Sequence, residues 1–268
     1  MSFWDHLEEF RWTIIRILIA VVAFSVVGFI IIPHIFDSVI LAPKDSDFIT
    51  YKFFEKAGQY IPFLPDFSSE SFRVEMLNIN MTTQFMTYIS TSFAFGILCT
   101  IPFILFEIWK FVSPALYDNE AKGVKKAFGF GGFMFIIGCL VGYFIVFPLI
   151  FRFLITFELS ASIENMISLD SYMNNFYTLI LIMGLVFELP LVFWLLSSLG
   201  LIYRSFFRKY RKHAVVGSLI AAALITPSGD PFSLFVVTLP IYALWEISAF
   251  VVAKDPPEEE DILPSVIE

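Results

Sequence analysis

Charge, cysteine and histidine are all scarce in this chain. Only 16% of its 268 residues are charged, against 58% hydrophobic, and 34 are phenylalanine. A soluble domain of this length has no use for so much apolar surface, whereas a chain solvated by lipid does. The two cysteines, Cys99 and Cys139, both fall inside apolar runs, so they supply neither a disulfide framework nor metal-ligand spacing. His6, His34 and His213 are scattered and lie near no nucleophile pair. Gly-x-Ser-x-Gly, His-Glu-x-x-His and phosphate-loop motifs are missing too, which argues against an enzyme, a cofactor or a bound metal. The net charge of -8 is local, because Asp255, Glu258, Glu259, Glu260, Asp261 and Glu268 crowd the C-terminal end. That Pro-rich segment, 254–268, reads as a disordered acidic tail.

What is present is a series of long apolar runs. A helical span needs roughly 20 mostly apolar residues. Candidates cover 12–33, 82–110, 127–155, 173–200, 214–226 and 232–253, continuously apolar rather than alternating, so helices are expected and not a barrel. No signal-peptide cleavage pattern precedes the first run, which is expected to stay as an anchor. The fold class is therefore an all-α integral membrane protein with six transmembrane helices, of which the fifth and sixth are short. The fifth covers only about 20 Å of a hydrocarbon core about 30 Å thick. It is a re-entrant piece, a sign of bilayer thinning, or a helix that borrows residues from the basic loop before it.

Positive charge orients the spans. Arg204, Arg208, Lys209, Arg211 and Lys212 lie between the fourth and fifth, without an acid among them. Lys110, Lys122, Lys125 and Lys126 lie between the second and third. The positive-inside rule then puts both termini in the cytoplasm. Segment 34–81 mixes Lys44, Lys52, Lys56 and Arg73 with a larger number of acids, and is expected outside. Three regions follow: an amphipathic cytoplasmic helix over 1–11, a membrane domain over 12–253, and the tail.

Carboxylates on the basic side are the feature that asks for a ligand. Phe111-Val-Ser-Pro-Ala-Leu-Tyr-Asp-Asn-Glu120 is apolar, broken by Pro114, and acidic beside lysines. In the helix 2–11, Phe3, Leu7 and Phe10 share one face, with Asp5, Glu8 and Glu9 opposite. Such a helix is expected to lie on the membrane surface and turn inward at Trp12. Two sets of acids held near apolar surface form a docking site for a cation; helix-dipole complementation remains a plainer role for Asp5. Glu188, in Phe187-Glu-Leu-Pro190, lies at membrane depth, where a charge costs at least ~2.5–3.5 kcal/mol and is usually functional. A protonated, hydrogen-bonded Glu188 is the structural alternative. Glu246 is nearer the interface, and Asp230 sits in a tight external turn suited to capping.

These segments resemble the TatC family. His6-Leu-Glu-Glu-Phe-Arg11 is similar to its N-terminal His-Leu-x-Glu-Leu-Arg motif, with Phe10 in place of Leu, and 111–120 to its first cytoplasmic loop. Tyr143-Phe-Ile-Val-Phe-Pro148, Phe187–Pro190, Thr226-Pro-Ser-Gly-Asp-Pro-Phe-Ser233 and Pro240-x-Tyr-x-x-Trp-Glu-Ile247 follow in family order. The resemblance implies a concave bundle that acts as the core receptor of twin-arginine translocation, in the bacterial inner membrane. It implies TatA- and TatB-type single-span partners, an oligomeric receptor complex, folded cargo with twin-arginine signal peptides, and drive from the proton-motive force. By motif, Glu9 and Glu120 are the signal-peptide carboxylates, Phe111 shares their surface, and Arg11 supports Glu9. Glu188 is the intramembrane polar site, and Thr226, Asp230, Ser233 and Glu246 mark the partner-helix region. Leu234 stands where the family often has Gln, and the external segment 44–80 is enlarged, with Phe53-Phe54 suggesting an amphipathic cap. The basic loop 204–212 is read as topogenic, not as a nucleic-acid site. A proton-coupled secondary transporter is the alternative class, disfavoured by the lack of an internal repeat. A membrane hydrolase lacks its Ser/His or His/Asp constellation.

Overall fold

A computed structural model describes residues 3–58, 74–112, 118–157, 159–160, 162 and 165–253. Ten α-helices occur among them: α1 (Phe3–Ile35), α2 (Ile49–Gly58), α3 (Thr83–Val112), α4 (Asp118–Val141), α5 (Phe147–Thr156), α6 (Leu169–Val186), α7 (Leu189–Ser198), α8 (Arg204–Lys209), α9 (Arg211–Ile225) and α10 (Pro231–Val251). A parallel bridge of two-residue strands, β1 (Met76–Leu77) with β2 (Ile167–Ser168), joins two loops. The tail 254–268 and the stretch 59–73 of the enlarged external segment lie outside the described residues.

Five helical runs among the described residues are long and apolar enough to cross a membrane: His6–Lys44, Thr83–Phe111, Gly129–Thr156, Leu169–Ser198 and Pro231–Val251. The protein is thus a multi-pass membrane protein. The remaining expected span is α9, with 15 residues. It does borrow from the basic loop, starting at Arg211, yet its length of about 22 Å still falls short of the core thickness. Helix α10, at 21 residues, is shorter than the other four runs but reaches about 31 Å.

The first helix departs from expectation. α1 runs unbroken through Trp12 for 33 residues, so its polar start and its apolar body are one rod. No Gly or Pro stands between Phe3 and Val27, and nothing in that stretch terminates a helix. At about 50 Å it overhangs the hydrocarbon core by several turns, which leaves His6, Glu9 and Phe10 beyond the apolar slab.

The fourth run breaks where its sequence demands. Pro190 at the start of α7 has no N–H to give to Val186, so α6 ends there and Glu188 becomes the residue before α7. Helix α5 is set off from α4 by a wide turn at Gly142–Val146.

Antiparallel α1 and α3 pack closely through small residues. A Cβ on Gly28 would stand 2.7 Å from the Ser92 carbonyl oxygen, and one on Gly96 would collide with Ser25. Small side chains let two membrane helices approach until backbone meets backbone. At the end of the bundle away from the basic loops, tyrosines bind the last turns of α1 and the chain after it. Tyr88 donates to Phe29 O, Tyr143 to Val39 O (2.7 Å), Tyr172 to Ile40 O (2.6 Å) and Tyr51 to Pro43 O (2.6 Å). Each satisfies a carbonyl that no regular helix serves. Burial pushes the Tyr51 phenol up, with the Arg152 charge opposing, so it remains a donor. Residues 49–58 do form a helical cap, and Thr50 ties it to Phe144 O.

Candidate functional site

The basic end of the molecule gathers the start of α1, the end of α3, the start of α4, α8 and the ends of α7 and α10. On α1, His6, Glu9, Thr13 and Arg16 recur at helical spacing and are less exposed than Glu8, Arg11, Trp12 and Ile14. This stripe faces α3. Phe111, in the last turn of α3, stacks on the His6 ring (centroids 4.3 Å, planes 23° apart) and touches Phe10 at 5.6 Å. Aromatic pairs of this kind add about 0.5–1.5 kcal/mol beyond their buried area. Phe111 therefore ties the end of α3 to the turn of α1 that carries Glu9.

Glu9 is half-buried beside this stack. Arg11 points elsewhere: it is exposed, pairs with Glu8 at 3.6 Å, and lies 5.6 Å from the Trp12 ring. It lies on the outer face of α1, and no contact with Glu9 is among the described interactions. Residues 113–117 lie outside the described residues. The backbone of Glu120 is in the first turn of α4, but its side chain is outside the description.

One turn from this surface is an ion pair that sequence reasoning missed. Arg16 Nε donates to Glu107 Oε2 at 2.7 Å, and Arg16 Nη2 donates to Thr13 Oγ1 at 3.0 Å. Glu107 is only 3% exposed. The signal was available, since each is an isolated charge four or five residues inside an apolar run, of opposite sign and at matching depth. The depth rule applied to Glu188 picks out both.

Glu188 is buried, and neither carboxyl oxygen has a hydrogen-bond partner among the described residues. It faces Gly131 of α4, where an added Cβ would stand 2.8 Å from Glu188 Oε2 and 2.5 Å from Leu191 Cδ2. Leu191 packs with Leu105, Trp109 and Trp194. The hydrogen bond to a neighbouring helix expected of a structural carboxyl is not among the described contacts.

The other expected residues sit at two ends of the α9–α10 hairpin. Thr226 is buried and its hydroxyl donates to Ala222 O at 2.9 Å. Asp230 caps α10: Oδ1 accepts from Ser233 N (2.8 Å) and Oδ2 from Ser228 Oγ (2.6 Å). Ser233 is fully buried, and Ser228 also reaches its hydroxyl at 3.3 Å. Burial raises the Asp230 pKa, but hydrogen bonds from Ser228 and Ser233 outweigh it and hold the carboxyl below its ordinary value. At the basic end, Glu246 accepts from Arg211 (2.6 Å) and from Tyr242 (2.8 Å), which ties α9 to α10. Glu246 is thus separated from the turn at 226–233 by nearly the length of α10, and the four residues form no single cluster.

Comparison with known proteins converges on one family. The family described as "Sec-independent protein translocase protein (TatC)" matches residues 5–240. The chain is 36% identical over 252 residues to a Sec-independent protein translocase protein TatC of Blattabacterium sp. (strain BPLAN), covering 94% of each. It is 32% identical to the corresponding protein of Deinococcus radiodurans, over 91% of this chain and 82% of that one. Among solved structures it is similar to a crystal structure of the twin arginine translocase receptor TatC, with a TM-score of 0.70 and 27% identity. That match covers 92% of this chain and 97% of the other.

Proposed function

Since this chain belongs to the TatC family of Sec-independent protein translocase proteins, we propose that its basic end is the cytoplasmic surface that reads twin-arginine signal peptides. As a TatC protein it is a non-enzymatic, multi-pass membrane component of the twin-arginine translocase. The finer reading puts it in the bacterial cytoplasmic membrane with both termini inside. It works there in an oligomeric receptor complex with TatA- and TatB-type single-span partners, passing folded cargo at the expense of the proton-motive force.

The observation that carries this reading is the stack of Phe111 on His6 and Phe10. It ties the turn of α1 that carries Glu9 to the end of α3, the helix that precedes Glu120 in the chain, and these two acids are the proposed ligands. Guanidinium is planar and permanently charged, and pairs bidentately with carboxylate, so two arginines are matched by two separated acids. Apolar surroundings reduce solvent screening and sharpen the distinction from a neutral residue. Glu188, buried on the bundle wall and without a hydrogen-bond partner among the described residues, receives the apolar continuation of the signal peptide or a polar residue of a partner helix. Thr226 and the capped turn Asp230–Ser233 shape one end of the hairpin that partner helices pack against, and Glu246 fixes its other end.

Site-specific photocrosslinking tests the reading. Probes at positions 9 and 120 are expected to capture a twin-arginine precursor and to lose it when the pair becomes twin-lysine. Equal labelling of both precursors would count against arginine readout.

A further inference from the structure

We propose that the half-buried Arg16–Glu107 ion pair is a positioning device: it fixes the roll and tilt of the overhanging part of α1 against α3, and so sets where Glu9 stands. The proposal rests on the reading of the basic end as the signal-peptide surface, and adds residues that the reading does not use.

The geometry is that of a ladder. α1 and α3 run antiparallel, and their contacts pair off in register: Phe10 with Phe111, Arg16 with Glu107, Ser25 with Gly96, Gly28 with Ser92. The glycine and serine rungs hold the middle of the helices. Toward the basic end there are no further small-residue contacts among the described ones, and α1 projects past the apolar slab. There the ion pair and the aromatic stack supply the described rungs. Because the stack is built from rings that can slide, it fixes distance better than rotation. The ion pair fixes rotation, since Arg16 is held twice, by Glu107 at 2.7 Å and by Thr13 at 3.0 Å on its own helix. His6, Glu9, Thr13 and Arg16 share one stripe, so any roll of α1 that breaks the pair carries Glu9 off the surface shared with Phe111.

Charge at this depth is not idle. Burying a lone carboxylate is costly, and a pair that is satisfied on one side only is a weak source of stability. Its value is directional, because removing either partner strands the other, so the helices are held to one register. Glu107 is 3% exposed and already occupied by Arg16, and its carboxylate is not presented for cargo.

The test uses the full chain in nanodiscs with spin labels at the exposed positions 7 and 108, and a fluorescent twin-arginine signal peptide. Glu107→Gln and Arg16→Glu are each expected to broaden the label–label distance distribution and to weaken peptide binding by about tenfold, in the range of mutations that act through coupled packing. The swap Arg16→Glu with Glu107→Arg is expected to restore both. Arg16→Lys, which keeps charge but loses the fork, is expected to fall between, and it keeps the test alive should Arg16→Glu fail to insert. Wild-type distances and binding in Glu107→Gln would overturn the proposal. Lost binding with an unchanged distance distribution, and no rescue by the swap, would overturn it in favour of Glu107 touching the peptide. If the unmodified protein binds twin-lysine and twin-arginine peptides alike, the signal-peptide reading fails; the distance measurement still decides the positioning claim.

Discussion

Single side chains already separate support from recognition. Asp230 is support: it caps α10 through Ser233 N and anchors Ser228. Asp230→Ala is expected to cost about 0.5–2 kcal/mol, the usual value of an N-cap, and amide exchange at Ser233 would register it. The pH dependence has a definite sign. The folded carboxyl is held below its ordinary value, so its contribution is complete above the unfolded value of about 4 and is lost as pH falls through the lower folded value. The protection factor at Ser233, with intrinsic exchange divided out, is therefore expected to hold at neutral pH and to fall only in acid, with Asp230→Asn removing that fall. Glu188 is the opposite case, a buried carboxyl with no described partner. Glu188→Gln is expected to insert and fold normally yet to lower transport of a twin-arginine reporter; wild-type transport in Glu188→Ala as well would leave it no functional role. Gly131→Ala sets a methyl against the movable ends of Leu191 and Glu188, so rotamer shifts are expected to absorb it at a cost of about 1 kcal/mol or less in thermal unfolding.

At the scale of elements, apolar runs and helix breakers were legible and long-range partners were not. The break before α7 follows from Pro190, and the short α9 from a 15-residue helix between basic loop and tight turn. The capping of α10 was readable from Asp230-Pro-Phe-Ser233, since such a residue set is a local signal. The turn expected at Trp12 is absent because amphipathicity changes along α1 without any residue that ends a helix. Arg16 and Glu107 are 91 positions apart, and only packing reveals that they meet. The tyrosine bonds to the carbonyls of Phe29, Val39, Ile40 and Pro43 were equally hidden, because any of the ten tyrosines in this sequence is a plausible donor. Tyr172→Phe tests one of them. It is expected to cost about 1 kcal/mol and to speed proteolysis within 36–48, without altering signal-peptide binding at the far end.

For the whole molecule, the two ends have different tasks. One end is tied down by tyrosines, a helical cap and a strand bridge. The other projects α1 and α3 as a joined pair, with Phe111 and the Arg16–Glu107 rung holding Glu9 in place. Between them, α9 is too short to cross an undistorted bilayer. Spin labels along 211–225 are expected to report shallower lipid depth than labels at matching levels of α3; equal depth would remove local thinning from the account. The family and its membrane architecture could be read from ordered motifs, whereas the contact of α1 with the end of α3 needed the fold.

The central claim is that Glu9 and Glu120 together select an arginine pair, and affinity measured on the intact protein in nanodiscs tests it most directly. Twin-arginine and twin-lysine versions of one signal peptide would be titrated against the unmodified chain and against Glu9→Gln/Glu120→Gln. A preference for twin-arginine of about tenfold or more, collapsing to near parity in the double variant, is the outcome expected if charge-assisted bidentate pairs carry recognition. A preference that survives the loss of both carboxylates would contradict it.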